Sequence, residues 1–88
     1  MNKQGRKTLD RLHDELSTLK GKFEDIKSEL ETLRDEEQDK YDNMPESLQS
    51  GDRGETLQAT IDNLESAIND MESVDYDEVL GYIESAKE

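Results

Sequence analysis

The feature that most constrains this chain is a row of apolar residues that recurs at alternating steps of three and four. The row fills the first and fourth positions (a and d) of four successive heptads. Sustained a and d heptads indicate a helix that packs against another helix in a coiled coil or helical bundle. The residues of this row are Leu9, Leu12, Leu16, Leu19, Phe23, Ile26, Leu30 and Leu33.

The regular spacing matters because the composition alone is typical of a disordered chain. The 88 residues are 40% charged and only 30% hydrophobic, with a net charge of −13. Such chains ordinarily have too little apolar surface to drive folding. A disordered acidic chain would not keep an unbroken heptad pattern, so we predict an all-α fold.

Turn-forming residues end the first helix, which we place at about residues 7–42. Pro45 stops it, because the residue before a proline avoids the helical region. Pro45 also favours one short helical turn that carries Leu48. We expect Met44 and Leu48 to close the end of the bundle within a loop at 43–54.

A second helix is predicted at about 54–73, where the heptad spacing returns. Asp52 and Glu55 have the spacing of a capping box for its start, and Ser50 is a rival cap. Its apolar row is Leu57, Ile61, Leu64, Ile68 and Met71, which with the row of the first helix completes the predicted hydrophobic seam.

The pattern beyond residue 73 allows two interpretations. Asp75 and Glu78 could form another capping box, which would start a third helix at about 76–87. Alternatively, the second helix continues past Val74 with a shift of its heptad phase. We favour the break.

Charged residues beside the seam favour an antiparallel hairpin within one chain. The fifth heptad positions (e) of the first helix carry only basic residues, whereas Glu65 and Glu72 hold e positions of the second. Antiparallel packing brings e beside e, so we expect Lys27 and Arg34 to meet these acids. The e residues of the first helix are His13, Lys20, Lys27 and Arg34.

A two-helix hairpin of this size buries little, and small scaffolds usually need additional burial. We therefore expect the single hairpin domain, residues 1–88, to form a homodimeric four-helix bundle or to dock on a partner. A three-helix monomer is the remaining alternative.

Composition also narrows the classes of function. The chain has no Cys, so no disulfide or Cys-based metal site is expected. Apolar runs are too short to span a membrane, and the first 20 residues lack a signal-peptide core. We expect a cytoplasmic protein that does not bind nucleic acid directly, because phosphate contacts need clustered Lys and Arg.

Catalysis is not indicated by any motif. Acid pairs three residues apart, such as Glu36 with Asp39, resemble Mg²⁺-binding pairs of helical nucleotide hydrolases, but 24 acids in 88 residues produce such pairs by chance. A bundle with a Leu- and Ile-rich seam leaves no room for a substrate pocket beside inward carboxylates. We expect no enzyme activity, no cofactor and no metal site.

The acidic residues suggest a function in binding. Residues 1–22 carry a net charge of +3 and residues 23–88 carry −16. Carboxylates on an outer helix face stand roughly 6–10 Å apart, which overlaps the charge spacing of a nucleic-acid strand. The simpler explanation is that they form solvated surface that maintains solubility. The candidate partner-binding residues are Glu24, Asp25, Glu31, Asp35, Glu36, Asp62 and Asp70.

Two segments resemble a known family. The stretch Tyr41–Glu55 (YDNMPESLQSGDRGE) and the helix Ile61–Ile68 (IDNLESAI) are similar to short acidic helical proteins of phages and prophages, chiefly of Gram-positive bacteria. The resemblance covers about residues 34–72 and implies no chemistry, because the family is uncharacterised. It implies a context in which small accessory proteins bind and block a host protein.

The sequence thus supports two hypotheses. In the first, a phage-encoded, non-enzymatic protein inhibits a host defence or nucleic-acid-handling protein by offering carboxylates to its basic surface. In the second, the hairpin is an assembly or scaffolding element that binds through its hydrophobic seam.

Overall fold

A computed structural model describes residues 1–87. This part of the chain is all-α, with helices α1 (Lys3–Asp42), α2 (Glu46–Gln49), α3 (Asp52–Glu72) and α4 (Tyr76–Ala86). The predicted fold class, an antiparallel helical hairpin with a short C-terminal helix, is confirmed. The chain forms two compact units. Unit 1 comprises Met1–Asp25 and the segment that begins at Val74, and unit 2 comprises Ile26–Ser73.

The first helix begins four residues earlier than the apolar row suggests. The side-chain oxygen Oδ1 of Asn2 accepts a hydrogen bond of 2.7 Å from the backbone N–H of Gly5. Such a contact satisfies one of the first N–H groups of a helix, which have no partner inside the helix. Asn2 therefore caps α1 and lets it start at Lys3.

The turn after α1 follows the prediction at Pro45 but not at the start of α3. Pro45 is the N-cap of α2, as expected. The N-cap of α3, however, is Gly51, which offers no side-chain cap, and Asp52 is already helical. The predicted caps Asp52 and Ser50 are therefore wrong, because the N-cap position falls on Gly51, between them.

The break between α3 and α4 is the one that Asp75 predicts. The Asp75 side chain accepts a hydrogen bond of 2.9 Å from the backbone N–H of Glu78. This bond caps α4 and separates it from α3, which ends at Glu72. The third helix thus forms as a distinct element.

Packing in unit 2 centres on two isoleucines of α3. Ile61 and Ile68 are the buried hydrophobic side chains of the described residues, and they lie seven residues apart on one face. On α1, the half-buried positions include Leu30, Arg34 and Tyr41. The Gln49 side chain joins the turn to α1 by donating a hydrogen bond of 2.9 Å to the Tyr41 carbonyl.

Packing in unit 1 brings α4 against the N-terminal half of α1. The rings of Phe23 and Tyr76 meet edge to face, with centroids 5.4 Å apart, a geometry that aromatic pairs prefer. Leu80 and Ile83 continue the half-buried face of α4, and Leu16 continues that of α1. No residue of unit 1 is fully buried within the described chain.

The two apolar rows of α1 share the burial unequally. The a row (Leu9, Leu16, Phe23 and Leu30) is half-buried. The d row (Leu12, Leu19, Ile26 and Leu33) is exposed, at 39%, 55%, 53% and 47%. The a and e rows of α1 therefore form its packed face, whereas the sequence predicts that a and d do so.

Gly54 and Gly21 provide a matched test of the packing between α2 and α3. A methyl group at Gly54 would overlap the Gln49 backbone, whereas at Gly21 it would meet nothing within 4 Å. We expect Gly54→Ala to destabilise the protein by about 1–3 kcal/mol through overpacking. Gly21→Ala should stabilise it by up to about 1 kcal/mol, because alanine favours the helix.

Urea denaturation followed by circular dichroism measures both variants. Equal stabilisation by the two substitutions would contradict the close approach of Gln49 to α3.

Candidate interaction surfaces

A line of ion pairs runs along the e row of α1. In unit 2, Lys27 Nζ lies 3.3 Å from Glu72 Oε1, as predicted. Arg34 pairs with its neighbour Asp35, with 3.1 Å between Nη2 and Oδ1, so its expected pairing with Glu65 or Glu72 is wrong. Asp35 directly follows Arg34 in the chain, so the guanidinium group reaches this carboxylate without crossing to α3.

In unit 1 the same row meets α4. Lys20 Nζ lies 2.7 Å from Asp77 Oδ1, and His13 Nε2 lies 3.6 Å from Glu84 Oε2. The sequence analysis did not single out Asp77 and Glu84 as partners. The sequence does contain a pattern that matches these contacts, because Asp77 and Glu84 are seven residues apart, as are His13 and Lys20.

The C-terminus of α4 is also attached to α1. Arg6 Nε donates a hydrogen bond of 3.0 Å to the carbonyl of Lys87, the C-cap residue. Lys87 Nζ lies 2.7 Å from Asp10 Oδ1. A cation at the carbonyl end of a helix satisfies an unpaired acceptor and complements the helix dipole. Among the basic residues near the N-terminus, Arg6 therefore helps to hold the end of α4 against α1.

Hydrogen bonds to carboxylates raise the pKa of two lysines that join α1 to α4. The hydrogen bond that Lys20 donates to Asp77, together with the negative charge of that carboxylate, raises the pKa of Lys20 above its ordinary value of 10.5. Hydrogen bonds to Asp10 and Glu84 raise the pKa of Lys87 in the same way. Both lysines are therefore charged at neutral pH, and their pairs with Asp77 and Asp10 are ionic.

Charge is distributed very differently in the two units. Unit 2 contains 14 acidic and four basic residues, a net charge of −10, whereas unit 1 carries −3. Three of the four cations of unit 2 lie in ion pairs with carboxylates of the same unit. Twelve of its 14 acidic residues are exposed. Unit 2 therefore presents a surface with a large excess of solvated carboxylates.

The candidate acidic residues are divided between the units. Glu24 and Asp25 lie in unit 1, and the others lie in unit 2. All are exposed except Glu31, which is half-buried. The residues in unit 2 are Glu31, Asp35, Glu36, Asp62 and Asp70.

Helical geometry places only some of these carboxylates together. At about 100° per residue, Glu31 and Asp35 lie on the same side of α1 as Lys27, whose partner is Glu72. Asp62 lies on the corresponding side of α3. Glu36 projects from the opposite side of α1, and Asp70 points outward from α3. We call the set Glu31, Asp35 and Asp62 the acidic flank.

The end of unit 2 does not close as the sequence predicts. Met44 is half-buried, but Leu48 is 43% exposed. Both line an open hollow that is also bordered by Leu57, Lys40 and Arg53. The prediction that Leu48 closes the bundle is therefore wrong, since the single turn of α2 is too short to bring it over the core.

The described residues offer no assembled inorganic site. Within residues 1–87, no three His, Asp or Glu side chains converge so that they could hold a metal ion. Among the helices of this region, none combines the length and apolar character that a bilayer crossing requires.

Comparison with protein-family models, with curated proteins and with solved structures finds no match to this chain.

The ion pair between Lys20 and Asp77 should couple energetically at neutral pH. A raised lysine pKa means that the pair contributes fully below 10.5 and that the contribution is lost as pH rises through the folded-state pKa. A double-mutant cycle with Lys20→Met and Asp77→Asn should show favourable coupling at pH 7 that disappears in strongly alkaline buffer.

The matched control is a cycle of Lys22→Met with Asp77→Asn, because Lys22 is exposed and lies on the opposite side of α1. It should show no coupling at either pH. Equal coupling in the two cycles would mean that α4 has no fixed register on α1.

Proposed function

We propose that this chain is a non-enzymatic interaction protein whose unit 2 binds the basic surface of a protein partner. One observation carries the proposal: unit 2 has a net charge of −10, and nearly all its carboxylates are solvated. Such a surface attracts basic surfaces over a Debye length of about 10 Å at 0.1 M salt and speeds association with them.

The acidic flank is the part of unit 2 that we assign to this binding. Two of its carboxylates come from α1 and one from α3, so the flank spans both long helices of the hairpin. A basic groove that holds nucleic acid would meet a rigid array of negative charges there. The mechanism would be competition, in which unit 2 occupies the groove and excludes the nucleic acid.

The resemblance of residues 34–72 to short acidic phage and prophage proteins supports a bacterial partner. Under this proposal, the chain is phage- or prophage-encoded and inhibits a host defence or nucleic-acid-handling protein in the host cytoplasm. Nucleic-acid-binding proteins carry the clustered Lys and Arg that such an inhibitor requires.

Competition with DNA tests the proposal directly. The full chain is immobilised and exposed to the DNA-binding proteins of a bacterial lysate, which are first purified on DNA. We expect capture at low salt and release both by duplex DNA and by salt near 1 M, where the Debye length is about 3 Å. Capture that neither salt nor DNA reverses would contradict the proposal.

A matched pair of variants locates the binding surface. Glu31→Gln with Asp62→Asn removes two charges from the acidic flank, and Glu24→Gln with Asp25→Asn removes two from unit 1. Calorimetry with a captured protein should show at least a fivefold loss of affinity for the first variant and less than a twofold loss for the second. Equal losses would indicate that net charge, rather than the flank, determines binding.

The exposed d row favours a second candidate function, a structural assembly module. Leu19 and Ile26 are more than half exposed, and sustained apolar rows on soluble helices usually mark contact surfaces. In this case, Leu→Ala changes in the d row would abolish binding, and neutralisation of the acidic flank would leave it unchanged.

A further inference from the structure

We propose that a second copy of this chain docks on unit 1, antiparallel to the first and centred on Leu19, to form a four-helix bundle. This inference deepens the assembly function and rests on it, but it does not depend on the acidic flank. The argument uses the orientation of exposed apolar residues in unit 1, the register between α1 and α4, and the charges beside the d row.

Unit 1 has one polar flank and one apolar flank. The polar flank carries the pairs of Lys20 with Asp77 and of His13 with Glu84. On α4, Val79 and Tyr82 lie about 160° and 140° around the helix from Asp77, which places them on the other flank. On α1 the d row and the e row lie on opposite sides of the half-buried a row. The d row therefore faces the same side of unit 1 as Val79 and Tyr82. The apolar flank is therefore made of Leu12, Leu19, Val79 and Tyr82.

These four side chains remain exposed to solvent, so the apolar packing of unit 1 does not cover them. Leu19 is 55% exposed, Val79 48% and Tyr82 69%. Unit 1 has no fully buried residue within the described chain, so further packing on this flank would remove exposed apolar area from water.

Three side-chain contacts fix how α4 is aligned with α1. The residue numbers of the pairs Asp10–Lys87, His13–Glu84 and Lys20–Asp77 each sum to 97. Residue 19 of α1 therefore lies level with residue 78 of α4, next to Val79. A two-fold axis at Leu19 brings Leu19 against its copy, and on α4 it brings Val79 close to its copy.

The charges beside the d row also support an axis at Leu19. In an antiparallel pair that meets along d, the seventh heptad positions (g) face each other. An axis at Leu19 sets Glu15 of each chain beside Lys22 of the other, which gives two opposite-charge contacts. Moving the axis by half a heptad toward Phe23 would set Lys22 beside its own copy and Glu15 beside Glu29, so like charges would meet.

The overall charge also favours unit 1 as the dimer surface. Unit 1 carries a net charge of −3, against −10 for unit 2. Bringing two copies of unit 1 together therefore meets much less electrostatic repulsion than bringing together two copies of unit 2.

Sedimentation equilibrium of the full chain and two matched variants tests the proposal. The wild type should be a dimer at micromolar concentrations. Leu19→Glu should raise its dissociation constant about tenfold or more, because it places two like charges at the centre of the interface. Leu33→Glu changes a d-row leucine of unit 2 that is 47% exposed, and it should leave the constant within twofold. Circular dichroism checks that each variant is helical.

Charge exchange tests the orientation. Lys22→Glu should weaken the dimer, and the double variant Glu15→Lys with Lys22→Glu should restore it. Mixing Glu15→Cys chains with Lys22→Cys chains should yield the mixed disulfide in preference to either homodimer.

A monomeric wild type, loss of the dimer with Leu33→Glu, or failure of the double exchange to restore it would each overturn the proposal. None of these outcomes affects binding by the acidic flank, because Glu31 and Asp62 lie in unit 2.

Discussion

The structure depends on how the first helix uses its a and e rows. The a row supplies half-buried apolar side chains, and the e row supplies cations that meet acids of α3 in unit 2 and of α4 in unit 1. Burial of this kind removes apolar area from water, and the ion pairs add direction to it. Because the a and e rows form the packed face of α1, the d row is left exposed.

This division explains how a chain that is 40% charged still folds. Only Ile61 and Ile68 are buried hydrophobic residues in the described part of the chain, so apolar burial alone would give a marginal core. Long side chains such as Lys20 and Arg34 cover part of the packed face with their methylene groups while the charged ends remain near solvent. Helix capping by Asn2 and Asp75 then fixes where α1 and α4 begin.

Much of the fold could be predicted from residue spacing. The heptads from Leu9 to Leu33 predict α1, Pro45 predicts its end, and Asp75 with Glu78 predicts the start of α4. These signals are local, because each depends on residues within a few turns of the same helix. The exposure of the d row could not be predicted, since a and d carry equally apolar residues and only tertiary packing decides between them.

The candidate surfaces were predictable to a smaller extent. The sequence identifies the acidic residues, but whether Asp62 shares a flank with Glu31 depends on the register of two helices. Likewise, the contact of Lys20 with Asp77 requires α4 to pack along α1, and Asp77 lies 57 residues further along the chain. Local sequence patterns do not predict contacts between residues so far apart in the chain. The polar and apolar flanks of unit 1 are therefore visible only in the structure.

The most direct test of the packing between α4 and α1 is a distance measured by electron spin resonance. Ser17→Cys and Gly81→Cys place spin labels on exposed positions that the register sets at nearly the same level of unit 1. Excess unlabelled chain suppresses distances between copies. We predict one narrow distribution at about 10–20 Å, since packed helices have axes about 8–10 Å apart. A broad distribution that extends well beyond this range would contradict the account.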